Sequence, residues 1–290
     1  MVTLNTLAPY SDANGNKILY EGREIPGVRV EFSGSNNTME VLSDVRLAKL
    51  NVVFDCDNGT FRMAGNKFGA FSGFIRVGQD STVSLGHDVT ATNACVISAV
   101  EGTSVIIGND VMLASENEIR ADDGHAIFDV ESETRVNWSK NITIGDHVWV
   151  AKRAVLLGGA SIGDGSVVGF GSIVTGTVPN NCVAAGVPAK VIRQNIAWER
   201  PHLSRAKPFY KPHAGTVKKS SFWNKTEDSM INDPKFVAVY DFEDQIIAVT
   251  FASEAQAKLW SEDHCNGKAR ITEVLHADAA EKLISQLSAN

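Results

Sequence analysis

From Ile144 onward the sequence falls into blocks of six that hold their phase through six repeats: IGDHVW, VAKRAV, LLGGAS, IGDGSV, VGFGSI and VTGTVP. Each block opens on an aliphatic residue: Ile144, Val150, Leu156, Ile162, Val168 and Val174. Each fifth residue is small: Val148, Ala154, Ala160, Ser166, Ser172 and Val178. The same rule holds from Ile107 (IGNDVM, LASENE, IRADDG) and from Leu85 (LGHDVT, ATNACV, ISAVEG). A period of six matches no helix, and it is not the two-residue alternation of a half-buried hairpin strand.

Physically, one inward aliphatic per six residues lets short strands turn corners around a narrow interior. Three sides make a coil of about eighteen residues, and stacked coils pair their strands in parallel about 4.8 Å apart. Glycine, Asp and Asn at the second to fourth positions suit corners that need positive φ or Asx turns. Small fifth residues suit the points where a triangular interior narrows. The pattern predicts a hexapeptide-repeat parallel β-helix rather than an antiparallel sandwich.

The repeat decays upstream and ends downstream, and this sets the expected organisation. Residues 1–26 are expected to form an N-terminal arm, and 27–196 the β-helix, with irregular coils over about 27–83. The frame breaks over 120–143, and an excursion that a regular solenoid does not need points to function. Residues 197–234 read as a basic, proline-containing linker or arm, because 201–226 hold six Lys or Arg and no acid. Residues 235–290 read as a small α+β module. Its expected strands are KFVAVYDF, QIIAVTF and ARITEVL, and its helices SEAQAKLWSEDH and ADAAEKLISQLS. The fold class is therefore mainly β.

Composition removes several function classes. The 290 residues carry a formal charge of −7, which disfavours sequence-independent nucleic-acid binding. Four cysteines without a CxxC pair suit a reducing compartment better than a disulfide framework or a zinc site. No basic-then-apolar leader and no apolar run long enough for a membrane span are present, so a cytoplasmic location is expected.

The stretch ITIGDHVWVAKRAVLLGGASIGDGSVVGFGSIVTGTVPNNCVAAGVPAKVIR resembles the signature of the left-handed β-helix acyltransferases. It is most similar to their sugar O-acetyltransferases. DDGHAIFD followed by GDHVW is similar to the polysialic acid O-acetyltransferases in particular. The resemblance is specific over 107–193, loose over about 27–106, and does not reach the C-terminal module. It implies left-handed coiling, acetyl-CoA as donor, a carbohydrate hydroxyl as acceptor, and a homotrimer with active sites between adjacent subunits. A bacterial capsular or surface polysaccharide is the implied acceptor, with no metal needed.

Acyl transfer to an alcohol requires a base, and histidine has a pKa near operating pH. His125 lies in the excursion, 24 residues before Trp149, and matches the family's catalytic histidine. Asp122, Asp123, Glu116 and Asp129 are candidates for orienting it. Trp149 ends its block at what reads as a corner, and the resemblance gives it a stacking role toward sugar or pantetheine. Asn93 matches, with a one-residue insertion, an Asn that contacts acceptor or oxyanion in related enzymes. Lys152 and Phe170, eighteen residues apart, occupy equivalent corners of adjacent coils, so their N–H groups would lie one strand spacing apart. In the resembling enzymes the matching amides bind pantetheine. Gly169 and Gly171 would keep that wall open. Lys190 and Arg193 would meet the CoA phosphates, and the Lys152 and Arg153 side chains are further candidates.

Other chemistries fit less well. A zinc hydratase on this fold would need an HxxxxH pair, which His87, His125 and His147 do not form. Cys95 and Cys182 read as buried thiols rather than nucleophiles. An N-acetyltransferase acting on an amino-sugar or antibiotic, and a catalytically silent β-helix, remain as alternatives.

Overall fold

The computed structural model describes residues 1–205, 207, 209, 211–227, 235–242, 245–251, 258 and 270–274. Two compact units divide the chain, 1–226 and 227–290. The first is a parallel β-helix with three faces. Face A has eight strands and face B nine, while face C has six and begins at Thr90–Asn93. Each complete coil runs from B through C to A, so the prism has B/C, C/A and A/B edges.

The period-six aliphatics do what their spacing requires. Ile144, Val150, Leu156, Ile162, Val168 and Val174 are all at most 2% exposed. The compact fifth residues are buried beside them; Ser166 settles its hydroxyl by donating to the Pro179 carbonyl at 2.6 Å. Parallel registers confirm the coil length, with Val150 opposite Val168 and Leu156 opposite Val174.

Upstream, the coils are longer and, as expected, irregular: before Thr90–Asn93 they carry strands on faces A and B only, and the face A register shifts between Leu47 and Lys49. Val30 pairs with Val52, Thr60 with Thr82 and Val96 with Glu118, a register of 22 residues in each case. Strands of eight residues at Ile25–Phe32 and Leu47–Phe54 widen the interior, which then holds large rings. Phe32 and Phe54 stack there with centroids 5.0 Å apart. Unequal sides destroy the period of six but keep a corner signal: Asn36, Asn58, Asp80 and Gly102, each 22 residues on, all take positive φ on the A/B edge.

Two expected segments are corrected. Residues 1–26 are not an arm: Val2–Leu7 pairs antiparallel with Ile25–Phe32, and Lys17–Leu19 adds to face B. Residues 197–226, expected to belong to a linker over 197–234, fall within the unit of the β-helix, with Trp198 and Phe222 bonded to it. Their aromatic residues find partners on the coils, which outweighs the prolines and charge that make the stretch look extended.

In the second unit, Lys235–Phe242 pairs antiparallel with both Gln245–Phe251 and Arg270–Val274, matching the three expected strands. The helix expected over 253–264 is described only at Lys258, and that expected over 277–288 lies outside the described residues. Among the described residues no helix is long and apolar enough to cross a membrane.

Candidate active site

The excursion leaves face A after Glu118–Arg120 and returns to face B at Ile142–Ile144. At its root, Asp122 is buried and both its oxygens are engaged. Ser98 Oγ donates to Oδ2 at 2.6 Å, and the Gly124 N–H donates to Oδ1 at 2.9 Å. Gly124 turns with φ +76°, a left-handed conformation that delivers the next residue, His125, to the surface.

Beyond it the chain forms a small hairpin, with Asp129 N–H donating to Thr134 O and Val136 N–H to Ile127 O. Asn137 ties this hairpin to His125. Its Nδ2 donates to the His125 carbonyl at 2.8 Å and to Asp123 Oδ2 at 3.0 Å, while its Oδ1 accepts the Ile127 N–H at 2.7 Å. The far strand is held by Arg135, which donates to both oxygens of Glu101 at 2.5 and 2.8 Å. That guanidinium holds the Glu101 carboxyl below its usual range. His125 is exposed and lines a hollow with Glu101, Arg135 and Ser139.

None of the four candidate carboxylates hydrogen-bonds the His125 ring among the described residues. Asp122 and Asp123 are committed as above, and Asp129 accepts from Ser132 and Glu131 N–H groups. Glu116 lies on a different edge, paired with Lys152 at 3.1 Å and Arg153 at 2.5 Å. His125 is fixed through its backbone. Sequence reading missed Asn137 because its contacts are made by a turn that no repeat specifies.

The C/A edge gathers most of the other predicted residues. Asn93 is in register with Ser115, and the ladders that place Leu113 beside Val150 and Val150 beside Val168 carry that line on to Lys152 and Phe170. Around this corner Ala151 N–H donates to Val168 O, Arg153 to Ser115 O, Gly169 to Ala184 O and Gly171 to Lys152 O. Among the described residues the Lys152 and Phe170 N–H groups donate to nothing. The edge therefore displays two unspent amides one coil apart, with the Phe170 ring 67% exposed beside them.

Gly169 has a different role from the one expected: a Cβ there would meet the Ala185 Cβ at 2.9 Å, so it permits close coil approach. Gly171 is the residue facing open space, with φ +64°. Trp149 sits within a strand of face C, not at a corner, and points outward because inward positions are taken by Val148 and Val150. Lys190 and Arg193 lie exposed on the strand Ala189–Arg193, which folds back on Val183–Gly186. The register Trp149, Val167, Val183, Arg193 puts both ends of this group on one face. His125 lies on the A/B edge, across face A from Asn93, Lys152 and Phe170.

A third cluster was not foreseen. His147 on the B/C edge is stacked between Trp198 and Phe222, with centroids at 4.2 and 4.7 Å. Its Nδ1 faces Asp110 Oδ2 at 2.5 Å and its Nε2 faces the Trp198 carbonyl at 3.0 Å. Burial works against a charged ring, but two acceptors outweigh it and push the His147 pKa up. Asp110 is held low despite its burial, by His147 and by Arg200, which also donates to Asp110. Trp198 reaches Trp149 as well, at 6.0 Å between centroids. A column of corner residues on this edge, Asp88, Asp110, His147, Gly165 and Asn181, all with positive φ, is the sequence signal for it. Cys95 and Cys182 are buried, and burial pushes the Cys95 thiol up to about 12, which leaves it protonated.

Residues 141–176 match the family described as bacterial transferase hexapeptide (six repeats). The polysialic acid O-acetyltransferase of Escherichia coli O1:K1 / APEC is 39% identical over 126 residues, 43% of this chain and 38% of that protein. The polysialic acid O-acetyltransferase of Neisseria meningitidis is 31% identical over 169 residues, 58% of this chain and 77% of that protein. The chain belongs to the hexapeptide-repeat transferase family. A crystal structure of the polySia-specific acetyltransferase NeuO matches this transferase fold with a TM-score of 0.57 at 37% identity, covering 67% of this chain and 90% of that one. The residues matched to the hexapeptide-repeat family hold Trp149, Lys152, Gly169 and Phe170, while the His125 excursion precedes them.

Proposed function

We propose that this protein transfers acetyl from acetyl-CoA to a hydroxyl of a carbohydrate, in a bacterial capsular or surface polysaccharide, with His125 as general base. The observation that carries the reading is the pair of unspent amides of Lys152 and Phe170 on one edge, together with an exposed histidine delivered by a braced excursion. The names of the relatives, polysialic acid O-acetyltransferases and a polySia-specific acetyltransferase, support acetyl transfer and the acceptor class.

In this mechanism the extended pantetheine arm of the donor lies along the C/A edge and accepts from the two amides. Lys190 and Arg193 face its phosphates, and Trp149 offers a ring for stacking. His125 takes the proton of the acceptor hydroxyl as its oxygen attacks the thioester carbon. A tetrahedral oxyanion forms, and the Asn93 side-chain amide supplies a hydrogen bond to it. The C–S bond breaks, the acetyl ester remains on the sugar, and the thiolate takes up the proton held on His125.

His125 and the donor edge belong to different edges of one prism, so a complete site needs the A/B edge of one copy against the C/A edge of another. A homotrimer with three shared sites satisfies this. The exposed side chains of the excursion, with Phe128 58%, Val130 90% and Trp138 59% accessible, would find cover on the neighbouring copy. The test is release of CoA thiol from acetyl-CoA with a panel of sugars and polysaccharides, for the intact chain and for His125→Ala. Turnover that survives the substitution would sink the base assignment. Transfer to amines in preference to hydroxyls would replace the acceptor class.

A further inference from the structure

We infer that Trp198 is a positioning residue for the reaction: from a segment beyond the last coil, it holds the Trp149 ring in the orientation offered for stacking. The inference rests on the stacking role proposed above for Trp149.

Trp149 has little else to fix it. Its strand points the ring outward on face C, where its neighbours in register are Met112 and Val167. The residue is 36% exposed, and its Nε1 donates to no partner among the described residues. An indole standing free on a strand has several staggered rotamers open to it. Among the described residues Trp198 is the ring that meets it, with centroids 6.0 Å apart and planes tilted by 46°. That separation and tilt are within the range aromatic pairs favour over a face-to-face sandwich.

Trp198 itself is firmly held and only 9% exposed. Its Nε1 donates to the His147 carbonyl at 2.9 Å, and its own carbonyl accepts from His147 Nε2 at 3.0 Å. Its ring lies on the His147 imidazole with centroids 4.2 Å apart, and Phe222 covers the other face of that imidazole. The next two residues are anchored as well. Glu199 accepts from the Ser220 N–H and from Trp223 Nε1, both at 2.7 Å. Arg200 donates to Thr90 Oγ1 at 3.1 Å, to the Asp88 carbonyl at 2.8 Å, and to Asp110, which also faces His147. A ring held this way is a fixed wall for a neighbour whose side chain makes no hydrogen bond of its own.

The consequence is pre-organisation. Ordering that a ligand would otherwise impose on the Trp149 side chain is completed when the chain folds, so binding loses less conformational freedom. Trp149 lies three residues before Lys152, which brings the oriented ring close to the donor edge. Losing such an effect weakens binding in the ground state and the transition state alike, so it raises KM and leaves kcat unchanged.

The test joins kinetics to fluorine NMR of the full chain labelled with fluorotryptophan, the Trp149 resonance being assigned by its loss in Trp149→Phe. Trp198→Leu should move that resonance toward the position of the free amino acid. It should also raise the KM that Trp149→Ala raises, for acetyl-CoA or for the acceptor, by roughly threefold to tenfold with kcat unchanged. Trp198→Phe, which keeps a ring, should produce smaller changes in both. In a Trp149→Ala background, Trp198→Leu should add nothing, because its effect passes through the ring already removed. A further loss in that background would overturn the inference, even if the substitution loosens residues 198–200. So would an unmoved Trp149 resonance, or wild-type KM values in Trp198→Leu beside a raised one in Trp149→Ala. Unchanged kinetics in Trp149→Ala, or no acetyl transfer by the intact chain, would instead overturn the proposed stacking role or the proposed reaction. The resonance then decides by itself whether Trp198 sets the ring.

Discussion

The C/A and A/B edges are built from the same coil yet present chemistry in opposite ways. On the C/A edge the repeat itself does the work: equivalent corners recur, so an unspent amide at Lys152 is followed by another at Phe170. Repetition can offer the same atom along a line, which suits an extended ligand. It cannot offer a unique group. On the A/B edge the repeat is broken, and a hairpin braced by Asn137 and by the Arg135–Glu101 pair brings one histidine to the surface. Here the unique exposed side chain stands where the periodicity stops, and the non-repeating hydrogen bonds replace the ladder as the source of rigidity.

The largest effect should come from removing the unique group. His125→Ala should lower kcat by a factor of about 10² to 10⁴, the usual span for losing a general base, with CoA affinity by calorimetry unchanged. If CoA affinity falls as well, the two edges are not separable in the way described.

Mixing tests whether they meet across subunits. Co-assembled His125→Ala and Asn93→Ala copies should recover about a quarter of wild-type sites under random assembly, because each shared site takes one edge from each copy. No recovery in a verified mixed oligomer would place both edges of a site on one chain.

The brace comes next. Asn137→Asp keeps an acceptor for the Ile127 N–H but loses the donor to the His125 carbonyl, and kcat should fall roughly tenfold with little change in donor KM. A pH–rate profile of unchanged shape would mark Asn137 as positioning the base rather than tuning it.

The smallest effect concerns the stack of Trp198 and Phe222 on His147 at the B/C edge. His147 has its folded pKa raised above the ordinary value of 6.5. The folded form therefore binds its proton more tightly, so the stabilisation is fully present below about 6.5 and is lost as pH climbs through the raised value. Protease cleavage within 194–226 should accelerate over that upper window, and His147→Gln should flatten the dependence. Cleavage that rises on acidification would reverse the sign and refute the assignment.

The regular coils were legible because each short side buries one aliphatic, which fixes a period that survives in the sequence from Ile144 to Val178. The wider coils were only half legible: their sides are unequal, and the surviving signal is Asn36, Asn58 and Asp80 at corners 22 residues apart. The equivalence of the Lys152 and Phe170 corners followed from coil arithmetic. The aromatic stack on His147 did not, because Trp198 and Phe222 meet it from distant parts of the chain, and composition made 201–226 look like a spacer. Trp149 was assigned to a corner by block counting, although a block's last residue lies on the strand.

The reversed strands at the two ends of the prism carry a consequence for the molecule's length. Stacked parallel coils leave a row of open backbone groups at each end, and in principle a second prism could continue the stack indefinitely. Val2–Leu7 runs against face A at one end, and Ala189–Arg193 runs against face C at the other. Each presents the wrong polarity for another parallel coil. The β-helix unit thus has one face at each end closed to a further parallel coil, and deleting either reversed strand should make it more prone to edge-to-edge association.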